Sequence, residues 1–119
     1  MVSRLKNGGG LLMDCLIALG GAKGFGVPGE SYLAVLDAMY DRRDKFDLML
    51  CRNEGGAAYM AEAWGKLTGN PGLCFVTRGP GATNASIGIH TAMQNSTPMM
   101  VYVGQVGVGM KGREAFQEI

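Results

Sequence analysis

The chain has 119 residues, a net charge of +1, and 47% apolar against 18% charged side chains. That is enough chain for one domain with a buried core, and the composition excludes a disordered protein. So even a charge balance gives no basic field for nucleic acid or a membrane surface.

The apolar runs are far shorter than a membrane span. Leu11 to Leu19 is broken by Asp14 and ends in Gly-Gly, which is no signal-peptide core. Cys15, Cys51 and Cys74 each sit in an apolar segment and lack metal-ligand spacing. They read as reduced core thiols of a cytoplasmic protein. With His90 as the single histidine, no metal site is expected.

In chain order, Leu11, Leu12, Cys15, Leu16 and Leu19 make a helical stripe over 11–19, stopped by Gly20-Gly21. Residues 23–27 (KGFGV) read as a strand closed by Pro28-Gly29. Tyr32, Val35, Leu36, Met39 and Tyr40 share one face of a helix over 31–40. Strands follow at 46–51, 73–77 and 99–104. Helices lie between them at 54–68, with Ala57, Met60, Ala61, Trp64 and Leu67 on one face, and at 81–94, with Ala82, Ala85, Ile89, Ala92 and Met93 on one face. Residues 113–119 read as a further helix start after a glycine-rich lead-in at 107–112.

Strands alternating with helices predict an α/β domain: a parallel sheet with helices on both faces and right-handed crossovers. There is no internal repeat and no sign of a second domain. Ligands of such sheets bind outside the carboxyl ends of the strands. The segments there are VPGES (27–31), CRNEGG (51–56), TRGPGATN (77–84) and GQVGVG (104–109), all rich in glycine. The opposite edge carries the ordinary turns LTGNPG (67–72) and NSTP (95–98).

Three features on the loaded edge admit competing readings. Gly24-Phe25-Gly26-Val27-Pro28-Gly29 is a literal G-x-G-x-x-G. A dinucleotide fingerprint needs a strand before it, whereas the preceding segment is helical, so a strand with a Pro28-Gly29 turn is preferred. Thr77 to Asn84 is either an anion cradle helped by Arg78 or a tight turn capped by Thr83 or Asn84. Glu54 follows Asn53, a good N-cap residue, and is either a first-turn acid or an acid–base group with space left by Gly55-Gly56. Glu30 has the same ambiguity, Glu62 is expected to be solvated, and His90 to be a core or interface residue.

The motifs Gly26-Val27-Pro28-Gly29-Glu30, Arg52-Asn53-Glu54-Gly55-Gly56-Ala57-Ala58, Gly79-Pro80-Gly81-Ala82-Thr83-Asn84, Gly104-Gln105-Val106 and Ala115-Phe116-Gln117-Glu118 come in order. Together they resemble the N-terminal, pyrimidine-binding region of thiamine diphosphate enzymes, most nearly the acetolactate synthase-like branch. The resemblance covers residues 10–119 and implies a flavodoxin-like, thiamine diphosphate-binding fold in truncated form. It implies that Glu54 hydrogen-bonds a ring nitrogen of the cofactor's aminopyrimidine and promotes proton loss from the thiazolium carbon, ahead of attack on a small 2-oxo acid. It places Pro28 and Gly29 near the reacting end of the cofactor, Thr77, Pro80 and Asn84 around the pyrimidine, and Gln117 in the active site.

Two residues depart from the synthase pattern. Glu30 stands where a second glycine is common, and Arg78 where a small residue is usual. An acid at Glu30 is closer to non-oxidative decarboxylases, where it handles protons, yet the paired histidines of that branch are missing. A non-catalytic flavodoxin-like binding module is the reading outside enzymology. The resemblance also assigns the diphosphate and Mg2+ to a second domain with a Gly-Asp-Gly motif, which is not found in these 119 residues. A fragment or short subunit is therefore expected, working as a homo-oligomer or with a diphosphate-domain partner and inactive alone. FAD, the substrate and the choice between carboligase and decarboxylase stay open.

Overall fold

In the computed structural model, which describes residues 7–119, four parallel strands form one sheet in the order β2-β1-β3-β4. The elements run α1 (Gly8–Ala18), β1 (Lys23–Gly26), a 3-10 turn (Glu30–Tyr32), α2 (Leu33–Tyr40), β2 (Asp47–Leu50), α3 (Glu54–Thr68), β3 (Gly72–Val76), α4 (Pro80–Gln94), β4 (Met99–Val103) and a second 3-10 turn (Val108–Met110). The order reverses between β1 and β3, so the sheet has its topological switch point there.

The central strand β3 is buried along its whole length, and its side chains alternate between two cores. Leu73 and Phe75 join Met13, Leu16, Ala38, Met39 and Phe46 beneath α1 and α2. Cys74 and Val76 join Phe25, Ala57, Ala58, Ala61 and Ala85 beneath α3 and α4. Phe75 stacks on Tyr102 at 4.8 Å between centroids and meets Phe46 edge-on at 6.1 Å. Each contact of this kind adds about 0.5–1.5 kcal/mol to the burial itself.

The predicted order of elements holds, but the buried stripe of α1 does not. Leu11, Leu19 and Cys15 are exposed, while Gly9, Gly10, Met13 and Leu16 are buried. The cause is contact through glycine. A methyl group on Gly9 would collide with the Ala34 backbone, so α1 lies on α2 through a surface that an apolar pattern does not register. Cys74 is the buried thiol, Cys51 is intermediate, and all three cysteines are free.

The helix expected at 113–119 is also absent. Residues 111–114 and 116–117 are turns, with Glu114 at φ 54° and Gln117 at φ 61°, values no right-handed helix accepts. The Glu118 carboxylate accepts from the amides of Gly112 at 2.6 Å and Ala115 at 3.2 Å, so the side chain competes for the backbone a helix would use. Those amides, Gly112 first, hold the Glu118 carboxyl below its usual range.

Two polar expectations are corrected as well. Glu62 is only 6% exposed. Its Oε1 takes Lys66 at 3.1 Å, Thr97 at 3.0 Å and Asn95 at 3.2 Å, which ties α3 to the α4–β4 turn. The Lys66 ammonium, ahead of Asn95 and Thr97, lowers the Glu62 carboxyl below its ordinary range against the desolvation that would raise it. His90 is exposed on α4, which overturns its core placement and leaves the interface one. Among the described residues no helix is long and apolar enough to cross a membrane.

Candidate functional site

The site grows from three chain segments at the carboxyl ends of β1, β2 and β3. Parallel pairing of Gly26 with Leu50 and with Phe75 brings those ends level. At the end of β2 the chain turns through Asn53, whose Oδ1 accepts from the Gly55 amide at 2.8 Å and caps α3. Glu54 is the first residue of α3 and is half-buried, with its carboxylate at the positive end of the helix dipole.

Asn84, in the second turn of α4, donates from Nδ2 to Glu54 Oε2 at 3.0 Å. It is therefore not the cap of α4. Gly79 takes the N-cap position at φ 56° with Pro80 at the first helical residue, and Thr83 Oγ1 donates back to the Gly79 carbonyl at 3.1 Å. Gly81 closes the gap between the two groups of residues. A methyl there would lie 2.8 Å from Thr77 Cγ2 and 3.4 Å from Glu54 Oε1. Glu54, Asn84, Gly81 and Thr77 thus form one cluster, with Pro80 exposed beside them.

The loop after β1 joins this cluster across the switch point. Thr77 Oγ1 and Ser31 Oγ are 2.7 Å apart, and Ser31 Oγ also accepts from the Arg78 amide at 3.3 Å. Gly29 packs flush on Thr77, where a methyl would sit 2.8 Å from Oγ1. Pro28 is exposed at the rim. Tyr32 donates to the Val27 carbonyl at 2.5 Å. Its hydroxyl is pushed up to about 12, first by burial and then by electrostatic repulsion from Cys74 and Glu54 as the groups ionise. The Cys74 thiol is likewise pushed up to about 12, by burial first and then by Cys51 and Glu54. Both stay protonated at neutral pH, so neither supplies a nucleophile.

Glu30 and Arg78 do not act as separate groups. Arg78 is buried, its guanidinium paired with the Glu30 carboxylate, and its Nε donates to the Phe116 carbonyl at 2.7 Å. The two departures from the synthase pattern are partners 48 residues apart. Arg78 is thereby engaged by a carboxylate and a carbonyl. Gln117 reaches the same turn through its backbone, since its carbonyl lies against Gly79 where any side chain would collide.

Sequence reasoning missed Ser31, Tyr32 and Gly81. Ser31 and Tyr32 directly follow Glu30 and lie on the loaded edge, but only the pairing of β1 with β3 shows that Ser31 faces Thr77. Among the described residues, no group of three or more His, Cys, Asp or Glu is placed to hold a metal ion.

The family model described as "Thiamine pyrophosphate enzyme, N-terminal TPP binding domain" matches residues 6–119. The mitochondrial acetolactate synthase catalytic subunit of Aspergillus candidus is 42% identical over 113 residues, covering 95% of this chain and 16% of that protein. The acetolactate synthase large subunit of Pyropia yezoensis is 40% identical over 99% of this chain and 20% of its own length. The isozyme 2 large subunit of Escherichia coli K12 is 40% identical over 95% of this chain and 20% of its own. The chain spans a fifth or less of the length of these relatives.

Proposed function

Because the chain belongs to the thiamine pyrophosphate enzyme N-terminal TPP binding domain family, we propose that residues 1–119 form a pyrimidine-binding domain, whole or in part, of a 2-oxo acid carboligase or decarboxylase resembling acetolactate synthase. The observation that carries this is the Glu54–Asn84 pair, an acceptor oxygen and an amide side by side at the switch-point edge. The residues fit an aminopyrimidine. Such a ring alternates donor and acceptor positions along its edge, and a carboxylate beside an amide offers the matching set.

Glu54 holds or moves a proton at a ring nitrogen in this reading, and the first turn of α3 makes it rigid. Asn84 orients the carboxylate through Oε2, leaving Oε1 toward Gly81. Thr77, Gly29 and Pro80 shape the wall in this reading, Pro28 the rim, and Gln117 lies beside the Gly79 turn. Thiamine diphosphate, when bound, supplies the carbon nucleophile and the electron sink.

The diphosphate and Mg2+ belong, in this reading, to a domain outside these 119 residues, on a longer protein or a partner chain. Exposed apolar side chains on α3 and α4, among them Tyr59, Met60, Ile87 and Met93, support association with such a partner. The decarboxylase reading through Glu30 gains no support, because Arg78 engages that carboxylate. The binding-module reading gains none either, since the relatives are named as synthases.

Calorimetry with thiamine diphosphate and Mg2+ tests the proposal. The chain alone should bind weakly or not at all, and together with a diphosphate-binding domain it should bind tightly. Tight binding by the chain alone would overturn the shared-site reading. No binding by the assembly would overturn the cofactor assignment.

A further inference from the structure

The segment carrying Gln117 has no regular secondary structure, yet it is held against the turn after β3. Its internal bonds, Glu118 to the amides of Gly112 and Ala115, shape the turn without fixing it to the sheet. Its attachment runs through Arg78, whose Nε donates to the Phe116 carbonyl while another nitrogen pairs with Glu30. The Arg78 side chain is 9% exposed and that of Glu30 63%, so the clasp has a buried cation and an open anion.

We propose that Arg78 is a positioning residue: with Glu30 as its charge partner, it clamps the 113–118 turn onto the β3–α4 turn and so fixes Gln117 at the mouth of the switch-point crevice. A planar guanidinium suits the task, because its rigid fork serves a carboxylate and a carbonyl at once. Glu30, on the loop after β1, thereby ties three strand-end segments together. Gly79 completes the fit, since only a residue without a side chain lets the Gln117 carbonyl sit against it. The consequence for a cofactor rests on the reading of Gln117 given above, whereas the clasp itself does not.

Amide hydrogen exchange on the full chain tests it, with the Ala115 and Glu118 amides as reporters and Phe75 and Val76 of β3 as controls. Arg78→Ala should speed reporter exchange about tenfold or more, and Glu30→Ala about threefold or more, with the controls unchanged. The double variant should be no faster than Arg78→Ala, because the two residues act through each other. Raising salt from 0.05 to about 0.5 M should speed the reporters in the native chain and not in Glu30→Ala, since the half-open pair is screened. Unchanged reporters in Glu30→Ala, additive single effects, or a salt response that survives in Glu30→Ala would each overturn the clasp. Should Arg78→Ala fail to fold, Glu30→Ala and its salt response decide the matter. Failure of the cofactor reading would appear separately, as a native assembly that binds no thiamine diphosphate while the exchange results stand.

Discussion

The two faces of the sheet are built from different materials. Beneath α1 and α2 the core is bulky, with Met13, Met39, Phe46 and Phe75. Beneath α3 and α4 the buried helix residues are mostly small, Ala57, Ala58, Ala61 and Ala85, set against Phe25, Cys74 and Val76. There a methyl on Gly88 would lie 2.5 Å from Ala58 Cβ, so α3 and α4 run in close contact. That closeness lets Glu54 and Asn84, 30 residues apart, share a 3.0 Å hydrogen bond. The bulky face supplies stability through buried area, and the small face supplies geometry.

Substitutions on each face can break this division. Phe75→Ala should cost most, about 3–5 kcal/mol in urea unfolding, because it removes a 1%-exposed ring from two aromatic contacts. It should leave Glu54 and Asn84 paired in whatever fraction stays folded. Gly88→Val should cost less, about 1–3 kcal/mol, by wedging α3 from α4. Its larger mark should be on the site, where the Asn84 side-chain amide signals shift toward those of a free amide by NMR. Stability lost with those signals unmoved would contradict the geometric role of the small face.

Part of this contrast is legible in sequence. Alternating strands and helices give the parallel sheet, and parallel strands put Glu54, Thr77 and Asn84 on one edge. What is not legible depends on partners distant in the chain. The glycine surface of α1, the burial of Glu62 by Asn95 and Thr97, and the Glu30–Arg78 pair are set by how elements dock. A local apolar pattern carries no sign of them. The turn at 113–118 is invisible for another reason, since Glu114 and Gln117 adopt positive φ without being glycine.

Smaller effects sharpen the picture. Asn53→Ala should remove the α3 cap bond to Gly55 and cost about 1 kcal/mol in urea unfolding. Because it also loosens the turn that presents Glu54, cofactor affinity of the assembled enzyme should fall with it. The Glu62 carboxyl lies lower in the folded chain than its ordinary 4.5. Its contribution is therefore present above about pH 4.5 and lost as pH falls through the lower folded value. Lys66→Ala should flatten that part of the stability–pH curve, and an unchanged curve would remove the Lys66 contact as its cause.

Hydrogen–deuterium exchange at the thiazolium carbon of thiamine diphosphate, measured in the assembled enzyme, tests the role proposed for Glu54 most directly. Glu54→Gln keeps the size of the side chain and removes its proton exchange. Carbon exchange should slow by about 100-fold or more, the range of a positioned acid–base group. Exchange at the native rate in Glu54→Gln would contradict it and return Glu54 to an acid at a helix start.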